Sequence, residues 1–225
     1  RSLLSETGML LIVHVVQAVE GARKVDRVVV ATDDERIVRA VQAGDGEAVL
    51  TRKDHTCGTD RLAEAADLLH LADEDIVINV QGDEPDIPAV LVDELVTLLE
   101  RTGYPMATLC TPLAPESIDD PNKVKVVFNG AGRALYFSRA AIPFQRDPDK
   151  KSHAQHYLHI GIYAYRVAFL KAFSQLPPTP LEQAEKLEQL RALENDYPIA
   201  IQAVQYAGQG IDTPEDYAVF VARTK

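Results

Sequence analysis

The chain has 225 residues, of which 46% are apolar and 25% charged, with 34 acidic against 23 basic side chains and a formal charge of -11. That length and apolar content suffice for one full α/β core and exclude global disorder. The acidic balance excludes a general nucleic-acid or anionic-membrane binder, which needs a basic face, but leaves room for a pocket that takes one small anion. No apolar run approaches the roughly 18 residues of a membrane span, and the opening residues lack the apolar stretch of a signal peptide. Two cysteines, Cys57 and Cys110, cannot build a disulfide framework and read as reduced thiols of a cytoplasmic protein.

Apolar spacing predicts a helix over residues 9–19, followed by the short β-branched strand Arg27-Val28-Val29-Val30-Ala31-Thr32. A helix over 34–43 places Ile37, Val38 and Val41 on one face, and a brief strand follows over 47–50. Leu62, Ala65, Ala66 and Leu69 recur at helical spacing, 76–80 reads as a buried strand and 90–99 as a helix. Buried strands alternating with helices predict a parallel sheet covered on both faces. The second half differs in character. Residues 124–128 and 133–137 flank Asn129-Gly130-Ala131-Gly132 as a hairpin, and 159–165 alternates as a strand. Thr179-Pro180-Leu181-Glu182 and Thr213-Pro214-Glu215-Asp216 each place a hydroxyl at the N-cap, a proline at the first helical position and an acid after it, so each opens a helix. The predicted architecture is α/β with a mixed, mainly parallel central sheet, in one domain with a lobe over residues 110–175.

The segment richest in chemistry is Asn79-Val80-Gln81-Gly82-Asp83-Glu84-Pro85. Open α/β sheets bind ligands beyond the carboxyl ends of their strands, and Gln81, Gly82 and Asp83 fall at that edge of strand 76–80. Gly82 lets backbone approach a ligand closely, and Asp83 offers a hard oxygen suited to Mg2+. The alternative is a polar loop in which Asp83 caps the next segment. Asp212, just before the last helix, is either a helix cap or, if it faces Asp83, the second carboxylate of a divalent-metal site for phosphoryl or nucleotidyl transfer.

Along the helix expected from Thr179, Leu181, Ala184, Leu187 and Leu190 share one arc. Arg191 falls inside it and Glu188 close to it, while Glu182, Gln183, Glu185 and Lys186 point away. A carboxylate and a guanidinium on an apolar face need partners, either each other or a polar ligand. His153, His156 and His159 are spaced by three, but their segment is not helical in pattern and no zinc is expected. Cys57 precedes a helix whose free N–H groups favour an anion; with no paired histidine it reads as a packing thiol. No complete GxGxxG or Walker loop occurs.

Six motifs in order carry a resemblance: Asp54-His55-x-x-Gly58-Thr59-x-Arg61-Leu62-Ala63-Glu64, Asn79 to Pro85 with Ile87-Pro88, Leu135-Tyr136-Phe137-Ser138-Arg139, His159-Ile160-Gly161-Ile162-Tyr163-Ala164-Tyr165-Arg166, Leu187-Glu188-Gln189-Leu190-Arg191, and Gly210-Ile211-Asp212-Thr213-Pro214-Glu215-Asp216. Together they resemble the 3-deoxy-manno-octulosonate cytidylyltransferase (CMP-Kdo synthetase) family from about Met9 to the last residue. The resemblance implies a Rossmann-like nucleotidyltransferase fold with a dimerisation lobe, a homodimer, and Mg2+ as cofactor. It implies transfer of CMP from CTP to 3-deoxy-D-manno-octulosonate (Kdo) with release of pyrophosphate, serving lipopolysaccharide biosynthesis.

Carried over by motif, Asp83 and Asp212 would be the catalytic pair that holds Mg2+ against the CTP α-phosphate. Gln81, Gly82, Gly58 and Thr59 would face the nucleotide, and Arg61, Gln81, His159, Tyr163, Glu188 and Gln189 the sugar. The family pattern begins with a strand and a basic, glycine-containing loop. Arg1 resembles the end of that loop, and Ser2 to Gly8 resembles the stretch just after it, so the strand and most of the loop are expected to be absent from these 225 residues. Gly8-Met9-Leu10 also departs from the lysine-proline pair of the pattern. Three rivals remain: a cytidylyltransferase for another acidic sugar of the sialic acid type, an inactive sugar-nucleotide binding protein, and a flavodoxin-like carrier, which the missing phosphate loop disfavours.

Overall fold

Short β-branched runs and amphipathic helices alternate through the first hundred residues and fold into the succession their spacing predicts. The structure, a computed structural model, describes residues 2–55, 57–147, 154–206, 208, 210–211 and 213–224. Helix α1 (Leu11–Glu20) leads into β1 (Val29–Thr32), and the crossover helix α2 (Glu35–Ala43) returns the chain to β2 (Glu47–Leu50), which pairs parallel with β1. Asp34 caps α2 by accepting from the Arg36 N–H at 2.8 Å. Next come α3 (Gly58–Leu68), β3 (Ile76–Asn79), α4 (Ala89–Thr102) and β4 (Met106–Pro112). The second half supplies β5 (Lys125–Phe128), β6 (Ala134–Ser138), the long β7 (Tyr157–Arg166), α5 (Val167–Phe173), α6 (Pro180–Glu185), α7 (Gln189–Glu194), β8 (Ile199–Ala203) and α8 (Pro214–Thr224).

A six-stranded mixed sheet runs β6-β5-β7-β4-β8, with β3 also paired to β7. β3, β4 and β8 share one direction and β7 runs against them. β4 lines one edge of β7. The other edge is shared: β3 pairs with Tyr163 to Arg166 and β5 with Tyr157 and Leu158. Along β4 the register jumps from Thr108↔Tyr163 to Leu109↔Ile160, which leaves Gly161 and Ile162 of β7 without counterparts in a bulge.

Side chains alternate across the sheet, so Ala107, Leu109, Ile160 and Ile162 pack under α4 with Leu95 and Leu99. Met106, Phe137, Tyr165 and Ile199 pack on the opposite face with Phe169, Phe173 and Leu190. Among the described residues β1 pairs only with β2, and β3 only with β7. Helix α3 packs on both β1 and β3, and a cavity of about 2210 Å3 opens between these two strands.

One predicted element is corrected. The helix from Thr179 is not continuous: Lys186 takes the left-handed conformation (φ 55°) and splits it into α6 and α7. Leu181 and Ala184, assigned to the apolar arc, are exposed, while Glu182, assigned to the outer face, is buried. The physical reason is an ion pair. Arg191 is 3% exposed and donates to both oxygens of Glu182, Nε to Oε2 at 2.8 Å and Nη2 to Oε1 at 2.5 Å, while its guanidinium lies 4.7 Å from the Phe173 ring centre. Glu182 also accepts from the Thr179 N–H at 3.1 Å, so one carboxylate starts α6 and neutralises α7. The break folds α6 back onto α7 and keeps that charge pair out of water.

Removing one partner of such a buried pair strands the other charge. Glu182→Ala is therefore expected to lower the unfolding free energy by about 3 kcal/mol in urea titration. Glu182→Leu combined with Arg191→Leu should cost less than the sum of the single changes; strict additivity would show that the two do not act as a pair.

Candidate active site

The cavity between β1 and β3 continues past the carboxyl end of β3 onto the shared edge of β7, where open α/β sheets present their loops. Every described member of the predicted site set lines it. Gly58, Thr59 and Arg61 come from the start of α3, and Gln81, Gly82 and Asp83 from the loop after β3. His159 and Tyr163 come from β7, and Glu188 and Gln189 from the entry to α7. Asp212 lies outside the described residues.

The start of α3 offers backbone N–H groups, and Cys57 at its N-cap supplies no side-chain acceptor. Glu188 fills that role from across the fold. Its carboxylate accepts from the Gly58 N–H at 3.1 Å, the Thr59 N–H at 3.2 Å and the Thr59 hydroxyl at 2.8 Å. Sequence spacing offers Arg191 as a partner for Glu188; the structure gives Arg191 to Glu182 and Glu188 to α3. Arg61, one turn on, donates to the Thr51 hydroxyl at 2.5 Å and lies 3.5 Å from Asp33, which anchors it to the carboxyl ends of β1 and β2. Burial beside Glu188 pushes the Cys57 thiol up to about 12, and burial alone does the same to Cys110, so neither is a thiolate nucleophile.

The loop after β3 is tight. A Cβ on Gly82 would stand 3.3 Å from Ile12 Cδ1, so the close approach that calls for glycine is to α1. Gln81 donates its amide to the Gly161 carbonyl at 3.5 Å, inside the β7 bulge. The Asp83 carbonyl accepts from the Ile211 N–H at 2.8 Å, and the Tyr206 hydroxyl donates to Glu84 at 3.3 Å, so the segment leading to α8 is laced onto this loop. Capping of α8 itself is reciprocal and uses Thr213 and Asp216: the Thr213 N–H donates to Asp216 at 2.8 Å and the Asp216 N–H to the Thr213 hydroxyl at 3.1 Å. Among the described residues no cluster of three or more His, Cys, Asp and Glu gathers as an all-protein metal cage.

His159 is fixed from three sides. Phe137 meets its ring edge-on at 5.0 Å, Tyr163 lies at 5.2 Å, and Nε2 is 2.9 Å from the Thr108 hydroxyl. Burial lowers the pKa of this imidazole well below its ordinary value, so it is neutral at neutral pH. Burial first, then the charges of its neighbours, raises the Tyr163 phenol far above the physiological range. Of the other histidines of the predicted triplet, His156 contacts the Pro143 carbonyl at 3.1 Å, and His153 lies outside the described residues. Thr108, the hydrogen-bond partner of His159, is not singled out by the sequence. Its signal is a lone hydroxyl in the otherwise apolar first half of strand 106–112.

The chain is similar in sequence and fold to known proteins. A family profile described as Cytidylyltransferase matches residues 2–201. A protein of Syntrophobacter fumaroxidans named 3-deoxy-manno-octulosonate cytidylyltransferase is 49% identical over 225 residues, covering 98% of this chain and 89% of its own length. One of Shewanella pealeana named 8-amino-3,8-dideoxy-manno-octulosonate cytidylyltransferase is 45% identical over 219 residues, covering 96% and 88%. A solved structure described as CMP:2-keto-3-deoxy-manno-octonic acid synthetase complexed with CTP superposes with a TM-score of 0.91 at 42% identity, covering 99% of this chain and 90% of that one.

The lowered His159 pKa has a stability consequence. The unfolded chain takes up this proton as pH falls below 6.5, and the folded chain does not. Stability is therefore full above that pH and declines below it, by at most about 1.4 kcal/mol per pH unit for one site. Urea titrations between pH 7.5 and pH 4.5 should show this slope reduced in His159→Gln; an unchanged slope would mean that the imidazole is solvated.

Proposed function

The chain belongs to the cytidylyltransferase family, and on that premise we propose that it transfers CMP from CTP to the anomeric hydroxyl of Kdo, releasing pyrophosphate. The observation that carries this reading is spatial: motifs scattered from Gly58 to Gln189 line a single cavity at the carboxyl end of β3. The sugar hydroxyl attacks the α-phosphorus in line; its oxygen–phosphorus bond forms, the α–β bridging bond breaks, and the hydroxyl proton leaves to solvent. No covalent enzyme intermediate is required, so the protein acts chiefly by positioning.

Arg61, His159, Tyr163, Glu188 and Gln189 surround the sugar in this reading, and Gln81 stands between sugar and nucleotide. Gly58 and Thr59, expected to face the nucleotide, instead give their N–H groups to Glu188 on the sugar side. Asp83 and Asp212 would hold Mg2+, which when bound neutralises charge developing on the phosphates. A second reading, an 8-amino octulosonate as acceptor, draws on the Shewanella relative.

The cations expected to meet the triphosphate belong to the basic loop of the family pattern. We propose that the gap between β1 and β3 takes one further strand, parallel to both, with that loop emerging at the cavity mouth. Support comes from two strand edges flanking the gap and from its apolar walls, which include Val16, Val30, Leu62, Ala66 and Ile78. Ser2 sits beside the loop after β3, where its hydroxyl oxygen would lie 3.6 Å from a Cβ on Gly82. Homodimerisation is proposed through the β6 side, where Leu135 and Phe144 are exposed. Among the described residues no helix is long and apolar enough to cross a membrane. From the proposed substrates, we infer that the protein works in the cytoplasm and feeds lipopolysaccharide biosynthesis.

Pyrophosphate release from CTP should require both Mg2+ and an octulosonate, with sialic acid inert. Asp83→Asn should abolish at least about 99% of turnover with the circular dichroism spectrum unchanged; near-normal turnover at saturating Mg2+ would remove Asp83 from the metal site. Prefixing the chain with one apolar strand and a basic glycine loop should raise Tm by several degrees and tighten CTP binding, and an unchanged Tm would mean that the gap is not strand-shaped.

A further inference from the structure

β7 cannot pair continuously with β4, because Gly161 and Ile162 have no counterparts there. The Thr108 side chain is fully buried at this point. Its hydroxyl lies 2.7 Å from the Ile162 carbonyl, 3.2 Å from the Ile160 carbonyl and 2.9 Å from His159 Nε2. A hydroxyl has one proton to give, and of its three neighbours the Ile162 carbonyl, which only accepts, is the nearest, so the geometry favours donation there over donation to the imidazole. In that arrangement the same oxygen accepts from His159, with the ring hydrogen on Nε2. With one N–H placed on a neutral imidazole, Nδ1 is left as an acceptor. Among the described residues Nδ1 makes no hydrogen bond, while His159 lines the cavity.

We propose that Thr108 is a positioning residue that locks His159 in the Nε2–H tautomer, so that the ring presents an acceptor to a sugar hydroxyl rather than a donor to the sugar carboxylate. The proposal deepens the reading above and rests on it for the identity of the ligand. The lock itself stands on the bulge geometry alone. Gly161 in the same bulge answers to a separate contact: a Cβ there would stand 3.1 Å from Gln81 Nε2.

The test uses 15N-histidine NMR of the folded chain, with the His159 signals identified by their loss in His159→Gln, alongside calorimetric binding of Kdo. The wild type should show the Nε2–H pattern. Thr108→Val, nearly isosteric, should give mixed tautomers, weaken Kdo binding about five- to tenfold and leave CTP binding within twofold. Thr108→Ser should retain the wild-type pattern and affinity, a rescue that a purely packing role would not give. An unchanged tautomer in Thr108→Val overturns the lock. A changed tautomer with unchanged Kdo affinity keeps the lock but overturns the contact of His159 with the sugar. Wild-type protein that binds no Kdo contradicts the functional reading, and the NMR pattern still decides the role of Thr108.

Discussion

Backbone hydrogen bonding along β7 is the constraint on which the site depends. A strand that runs against its neighbours must find partners on both edges, and β7 divides one edge between β3 and β5. The division leaves a stretch of backbone facing the cavity, and the bulge opposite Thr108 removes part of the pairing on the other edge as well. Thr108 compensates with its hydroxyl, and in doing so sets the orientation of His159. One local irregularity in a sheet thus supplies both the floor of a cleft and a fixed polar group in it. Buried polar groups are costly unless bonded, so the same contacts that shape the site stabilise it.

Charge is divided with similar economy at the α6–α7 turn. Glu182 is consumed by Arg191, away from the cavity, and secures the fold. Glu188, beyond the left-handed break at Lys186, escapes that pairing and reaches the N-terminus of α3. A carboxylate in that place is stabilised by the exposed N–H groups and the helix dipole. It ties the entry to α7 to the element that also carries Arg61.

Much of this is legible in the sequence because local signals agree with global ones. The β2 strand, the hairpin around Asn129 and the caps beginning at Thr179 and Thr213 all stand where spacing places them. The site residues are reached through motif order, since no periodicity brings Gly58 and Glu188 together across the chain. What stays hidden depends on long-range pairing. The 179 helix reads as continuous because its apolar spacing is helical across Lys186, and only the distant need of Arg191 for Glu182 breaks it. Thr108 escapes notice because the register jump between β4 and β7 is a property of two strands taken together.

The most direct test is a crystal structure of the protein with CTP, octulosonate and Mn2+ in place of Mg2+. The expected result is an anomalous peak within about 2.5 Å of the carboxylates of Asp83 and Asp212, with the sugar beside Nδ1 of His159. A metal peak remote from both carboxylates, or a sugar bound outside the β3–β7 cleft, would contradict it.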